Sequence, residues 1–131
     1  MKISTKSRYG VRLMVDLAQH YDQGPICISS ISERQEISLK YLERIIIPLK
    51  NAGLIESVRG PRGGHMLSRP PSEIPIGEVV EILEEGIFIA HCLKDPQKCD
   101  RYGNCRTRDI WKMATKAMYE KLNTIKLSEL L

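Results

Sequence analysis

At 131 residues the chain fits one compact domain, or such a domain with an added oligomerisation element. Apolar residues make up 42 % and aromatics only 5 %, which excludes a disordered chain and predicts an aliphatic core between packed helices. No window approaches 18 consecutive apolar residues, so no membrane span is expected.

The basic opening Met1–Arg8 lacks the apolar stretch of an export signal, so a cytoplasmic, reducing location is expected. There, four cysteines serve as thiols or ligands rather than as disulfides. The formal net charge of +4 is unevenly placed. Residues 1–70 hold 11 Lys/Arg against 6 Asp/Glu, whereas residues 71–131 hold 9 against 10. A basic first half favours a polyanionic partner, with a merely solvated basic face as the alternative.

A first helix is predicted from near Ser7 to Tyr21, with Tyr9, Val11, Met14, Val15, Leu17 and Ala18 inward. Arg8, Arg12, Asp16 and Gln19 are expected mostly outside. Gly24-Pro25 breaks the chain, and a short second helix starts near Ser29 or Ser30, where Ser30 and Glu33 match a capping box. Ser38 caps a third helix, with Leu42, Ile45, Ile46 and Leu49 on one stripe. Pro48 bends or weakens its last turn, and Gly53 stops it.

Residues 54–59 then read as a strand, with Met66-Leu67 in the returning partner and Gly60-Pro61-Arg62-Gly63-Gly64 as the turn. Ile76 to Leu83 forms a short helix, and the periodic signal disappears between Cys92 and Cys105. A long helix follows, on which Ile110, Trp111, Ala114, Ala117, Met118 and Leu122 form an apolar stripe. Ile125, Leu127, Leu130 and Leu131 are spare hydrophobes behind it.

This order is that of a mainly α fold with a small β wing: a winged helix-turn-helix plus a long C-terminal dimerisation helix. The expected division is 1–83 for the DNA-binding domain, 84–106 for a cysteine-containing loop, and 107–131 for the dimerisation helix and a tail packing back. The stripe is read as a homodimer interface, with burial against the first helix as the alternative.

The helix beginning at Ser38 can enter a major groove, presenting Lys40, Tyr41, Glu43 and Arg44 to base edges and phosphates. Arg59 and Arg62 flank a turn whose Gly63 and Gly64 allow close backbone approach, and an Arg there suits a narrow minor groove. Ser4, Lys6, Ser7 and Arg8 add candidate phosphate contacts. Together these point to double-stranded DNA.

Cys92, Cys99 and Cys105 form C-x6-C-x5-C, a grouping of soft donors that suggests a metal or an iron–sulfur cluster. The close cysteine pairs of a zinc ribbon are missing, while unbound thiols or a redox pair stay open. His91, Asp95, Asp100 and Asp109 lie close enough in sequence to be weighed as a fourth ligand. Cys27, between Ile26 and Ile28, is expected to be buried packing. Glu84 and Glu85 are not read as a catalytic pair, and no enzymatic activity is expected.

The opening Met1–Gly10 resembles that of the small bacterial regulators related to the iron–sulfur cluster regulator IscR. Ile31–Gln35, Tyr41–Glu43, Asn51–Leu54, Val58–Gly64, the three cysteines with Arg106-Thr107, Ile110-Trp111 and Thr124–Leu130 continue the likeness over almost the whole chain. The amino-terminal half also resembles the CymR branch, which lacks the cysteine loop.

The resemblance implies a homodimer joined by long helices and a palindromic site. It also implies a [2Fe-2S] or [4Fe-4S] cluster on Cys92, Cys99 and Cys105, with Glu43 for specificity and Arg59 in the minor groove. Two departures matter. The first cysteine interval is one residue longer than is typical, and Arg108 occupies the place of a ligand histidine. A guanidinium has no lone pair for iron. NsrR-like members carry an Asp ligand early in the first helix, matched here by Arg8.

The expected function is thus a transcriptional regulator, a repressor by resemblance, sensing cluster, iron or redox status. The alternatives are a cluster-free regulator of sulfur or cysteine metabolism responding to a thiol or a partner, and an iron–sulfur redox protein.

Overall fold

A computed structural model describes residues 2–131. Helix α1 spans Thr5–Gln19, starting earlier than its apolar periodicity suggests because Ser4 is its cap. The Ser4 hydroxyl accepts from the Ser7 amide at 3.1 Å. Helix α2 covers Ile28–Gln35, and the expected capping box at Ser30 is not formed. The chain just before it is fixed instead: Ile26 and His65 exchange two backbone hydrogen bonds of 2.8 Å. The helix starts at once, and the Cys27 carbonyl already accepts from Ser30 N–H.

Helix α3, Leu39–Asn51, begins as expected at Ser38, whose hydroxyl accepts from the Tyr41 amide. Leu42, Ile45, Ile46 and Leu49 are its buried face, and Pro48 is tolerated within the helix. Gly53 follows with φ +81°, a left-handed conformation that lacks the usual Cβ penalty in glycine.

Strands β1, Ile55–Val58, and β2, Gly64–Leu67, form the antiparallel wing, with Ile55 opposite Leu67 and Val58 opposite Gly64. Helix α4, Ile76–Glu84, returns across the domain. The core joins Leu13, Met14 and Leu17 of α1 to the α3 stripe and to Val79 and Leu83 of α4. At about 25 cal/mol per Å² of apolar surface removed from water, this shared face is the main source of cohesion.

Asp16 differs from its expected outward position: its side chain is 1 % exposed. Arg34 of α2 donates to it at 2.7 and 3.0 Å, and the Gln35 amide at 2.9 Å. Burial pushes this carboxyl up, but the Arg34 and Gln35 hydrogen bonds and the Arg34 charge outweigh it and hold it below its ordinary value. The network ties α2 to α1.

The cysteine segment is more structured than its sequence suggests. It holds a short helix α5, His91–Lys94, and turns at Pro96–Lys98 and Tyr102–Asn104. Helix α6, Arg108–Asn123, contributes no fully buried residue.

The tail is not spare hydrophobic surface throughout. Leu127 is fully buried and Ile125 packs against the core, while Leu130 and Leu131 are exposed. Ile76 N–H donates to Ile125 and Leu127 N–H to Ile74, each at 2.8 Å, so the chain after α6 is strapped to the start of α4. No described helix is long and apolar enough to cross a membrane.

Candidate nucleic-acid interface and cysteine segment

On α3, Ser38, Lys40, Glu43 and Arg44 are exposed. Tyr41 is half-buried and meets Tyr9 of α1 edge-on, with ring centroids 5.6 Å apart and planes at 80°. Arg12 lies over the Tyr9 ring at 5.3 Å and also donates to the Gln35 carbonyl. The polar face of α3 is therefore presented by a helix held rigidly against α1 and α2.

Arg59 and Arg62 are exposed at the wing tip. Gly64 lies against the α1–α2 connection so closely that an added Cβ would stand 2.5 Å from the Ile26 carbonyl carbon. The wing is thereby seated on the chain leading into α2. His65 bonds Ser57 across the hairpin at 3.0 Å, and burial, then the Lys50 charge, lowers its imidazole pKa.

The amino-terminal candidates divide. Arg8 is exposed, and its Nη2 donates to the Thr5 hydroxyl. Lys6 is half-buried near the Glu84 carboxylate. Ser7 is fully buried, and the Ser4 and Ser7 hydroxyls each donate to Glu84 Oε1 at 2.6 Å. The Ser4 amide adds a third bond at 2.9 Å. Ser7 is withdrawn from any phosphate by its burial, a correction to the sequence expectation. Burial raises the Glu84 carboxyl, but the Ser4 and Ser7 bonds bring it below its ordinary value.

Cys92, Cys99 and Cys105 are free and half-buried. Among the described residues, no three His, Cys, Asp or Glu side chains are arranged to hold a metal ion. The thiols have the softness and number for three positions of an iron–sulfur cluster but do not stand as a closed set. Of the fourth-ligand candidates, Asp95 pairs with Lys98 at 3.3 Å and Asp109 with Arg108 at 3.4 Å.

Cys27 is exposed, not buried; Ile26 and Ile28 take the inward positions. Its sulfur lies 3.0 Å from the Ser29 hydroxyl, and that bond, then the Ser29 amide, lowers its thiol pKa.

On α6, Ile110, Trp111, Ala114 and Ala117 are exposed, as is Met113. Met118 is half-buried, and Leu122 packs on the core of its own chain. Phe88, in the loop before α5, is exposed as well, and no periodicity in the sequence marks that loop.

The family model described as "Rrf2: Iron-dependent Transcriptional regulator" matches residues 3–131. Protein rrf2 of Nitratidesulfovibrio vulgaris is 45 % identical over 131 residues, covering 100 % of this chain and 87 % of the relative. The structure of T. potens IscR superposes with TM-score 0.79 at 39 % identity, over 99 % of this chain and 85 % of that one. The oxidized form of Staphylococcus aureus CymR gives 0.77 at 38 % identity, over 99 % and 95 %. With a helix-turn-helix whose polar face is braced by two tyrosines and a wing seated beside it, the chain belongs to the Rrf2 family of transcriptional regulators, DNA-binding proteins of the IscR-like kind rather than enzymes.

Proposed function

We propose that the chain is a homodimeric, cytoplasmic repressor that senses iron–sulfur cluster, iron or redox status through a cluster on Cys92, Cys99 and Cys105. The observation that carries this reading is three free thiols on one segment directly before α6. The short elements of that segment bury no residue completely, so gathering the thiols sacrifices no core contact. A cluster, when bound, supplies an anionic, oxidisable group whose presence reports iron and oxidant supply. The apolar face of Ile110, Trp111 and Met113 supports a second copy as partner, and two copies suit a palindromic duplex.

Anaerobic iron and acid-labile sulfide analysis, alongside operator binding, tests this reading. Iron and sulfide are expected in the wild type and lost in Cys92→Ala, Cys99→Ala and Cys105→Ala, with a complex containing two chains per duplex. A wild type without iron after reconstitution rejects the cluster.

The exposed face of α3 and the wing are proposed to divide the labour on DNA. Arg59→Ala should weaken binding and flatten the preference for a narrow minor groove. Glu43→Ala should mainly change base selectivity, by about 1–3 kcal/mol at one position. Titration against operator, single-substitution and random duplexes measures both. Equal losses on all duplexes for Glu43→Ala contradict its role.

A second reading is favoured by Cys27. Its exposed thiol, held toward the thiolate by Ser29, suits a cluster-free response to oxidants. Cys27→Ser would then abolish an oxidant response that survives loss of Cys92, Cys99 and Cys105.

A further inference from the structure

We propose that Arg108 is a positioning residue that clamps the turn before Cys105 onto the first turn of α6. Arg108 opens the helix, yet its side chain is only 23 % exposed because it folds back along the chain. Its Nη1 donates to the Tyr102 carbonyl at 2.5 Å, and its guanidinium carbon lies 4.8 Å from the centre of the Tyr102 ring. Lys112, one turn further along α6, brings a second cation to 5.7 Å from that ring. Tyr102 begins the turn that ends immediately before Cys105. One side chain therefore closes the seven-residue segment 102–108 around the cysteine.

A cation is unfavourable at a helix N-terminus, where the macrodipole prefers an anion. Thr107 offers no compensating side-chain cap. Helix stability therefore does not account for Arg108. The planar guanidinium has donors enough to give one N–H to the carbonyl while it lies over the aromatic ring. In this chain the side chain three residues after the last cysteine acts on the loop, not as a donor to iron. For Cys105 as a ligand the proposal rests on the reading above; the clamp itself does not.

The test uses the full chain, first without iron, by amide hydrogen exchange. Losing a hydrogen bond to a charged group should speed exchange about tenfold in residues 99–107 of Arg108→Ala, with 39–51 unchanged. Arg108→Lys should recover part of the protection by keeping a cation on the ring, and Tyr102→Phe should behave as wild type because carbonyl and ring both remain. Unchanged exchange in Arg108→Ala, or acceleration spread evenly over the chain, overturns the clamp.

After reconstitution, the visible circular dichroism per iron is expected to change in Arg108→Ala and to be wild-type in Tyr102→Phe. A spectrum identical in all variants removes the positioning of Cys105. If the wild type takes up no iron, the cluster reading fails while the exchange result still decides the clamp.

Discussion

Asp16→Ala should lower the free energy of unfolding by about 2–3 kcal/mol, seen as an earlier urea midpoint at unchanged slope. Truncating one partner of a fully buried ion pair costs about 3–5 kcal/mol. Here the Arg34 side chain is 40 % exposed and can turn to water, which reduces the penalty. What is lost is three hydrogen bonds to one carboxylate and the anchorage of α2. Arg34→Ala added to Asp16→Ala should cost little more, because the two residues serve one contact.

The pH dependence of this network has a definite sign. The folded carboxyl titrates below its ordinary value, so its contribution is complete above the unfolded pKa of about 4 and lost as pH falls through the folded one. The wild type should lose this part of its stability only in acid, and Asp16→Ala should lack that segment of the profile. Equal stability of variant and wild type at neutral pH rejects the role.

Asp16 also shows where the sequence stopped being informative. The α3 stripe was legible because its burial follows a local period, and Ser38 because a cap acts within one turn. The partner of Asp16 lies 18 residues away, and those of Ser7 and Glu84 are 77 apart. No local pattern signals such pairs, and neither the burial of Asp16 nor that of Ser7 is legible in the sequence.

The capping box at Ser30 failed for a related reason. The long-range bridge between Ile26 and His65 sets the start of α2, overriding a valid local motif. In the tail, apolar residues were recognised, but composition alone does not distinguish Leu127, buried beneath the strap, from Leu131, left exposed.

The same bridge makes Gly64 a sensitive position in the wing. Gly64 has φ +154°, and its missing side chain is where the backbone of Ile26 and Cys27 passes. A Cβ would lie 2.5 Å from the Ile26 carbonyl carbon and 2.9 Å from the Cys27 amide nitrogen. Both are backbone atoms that cannot swing aside, so alanine forces the wing and the start of α2 apart. The two Ile26–His65 hydrogen bonds go first, each contributing about 1 kcal/mol. Backbone strain at an unfavourable φ adds about 1–3 kcal/mol.

Gly64→Ala should therefore lower stability by about 3–5 kcal/mol and also displace Arg59 and Arg62 relative to α3. Operator affinity should fall further than in Arg59→Ala, since the whole wing is moved instead of one side chain. Amide exchange at Ile26 and His65 reports the opening directly, and calorimetry with duplex titration measures the two losses. Wild-type protection at those amides together with wild-type affinity shows that the wing does not depend on this contact.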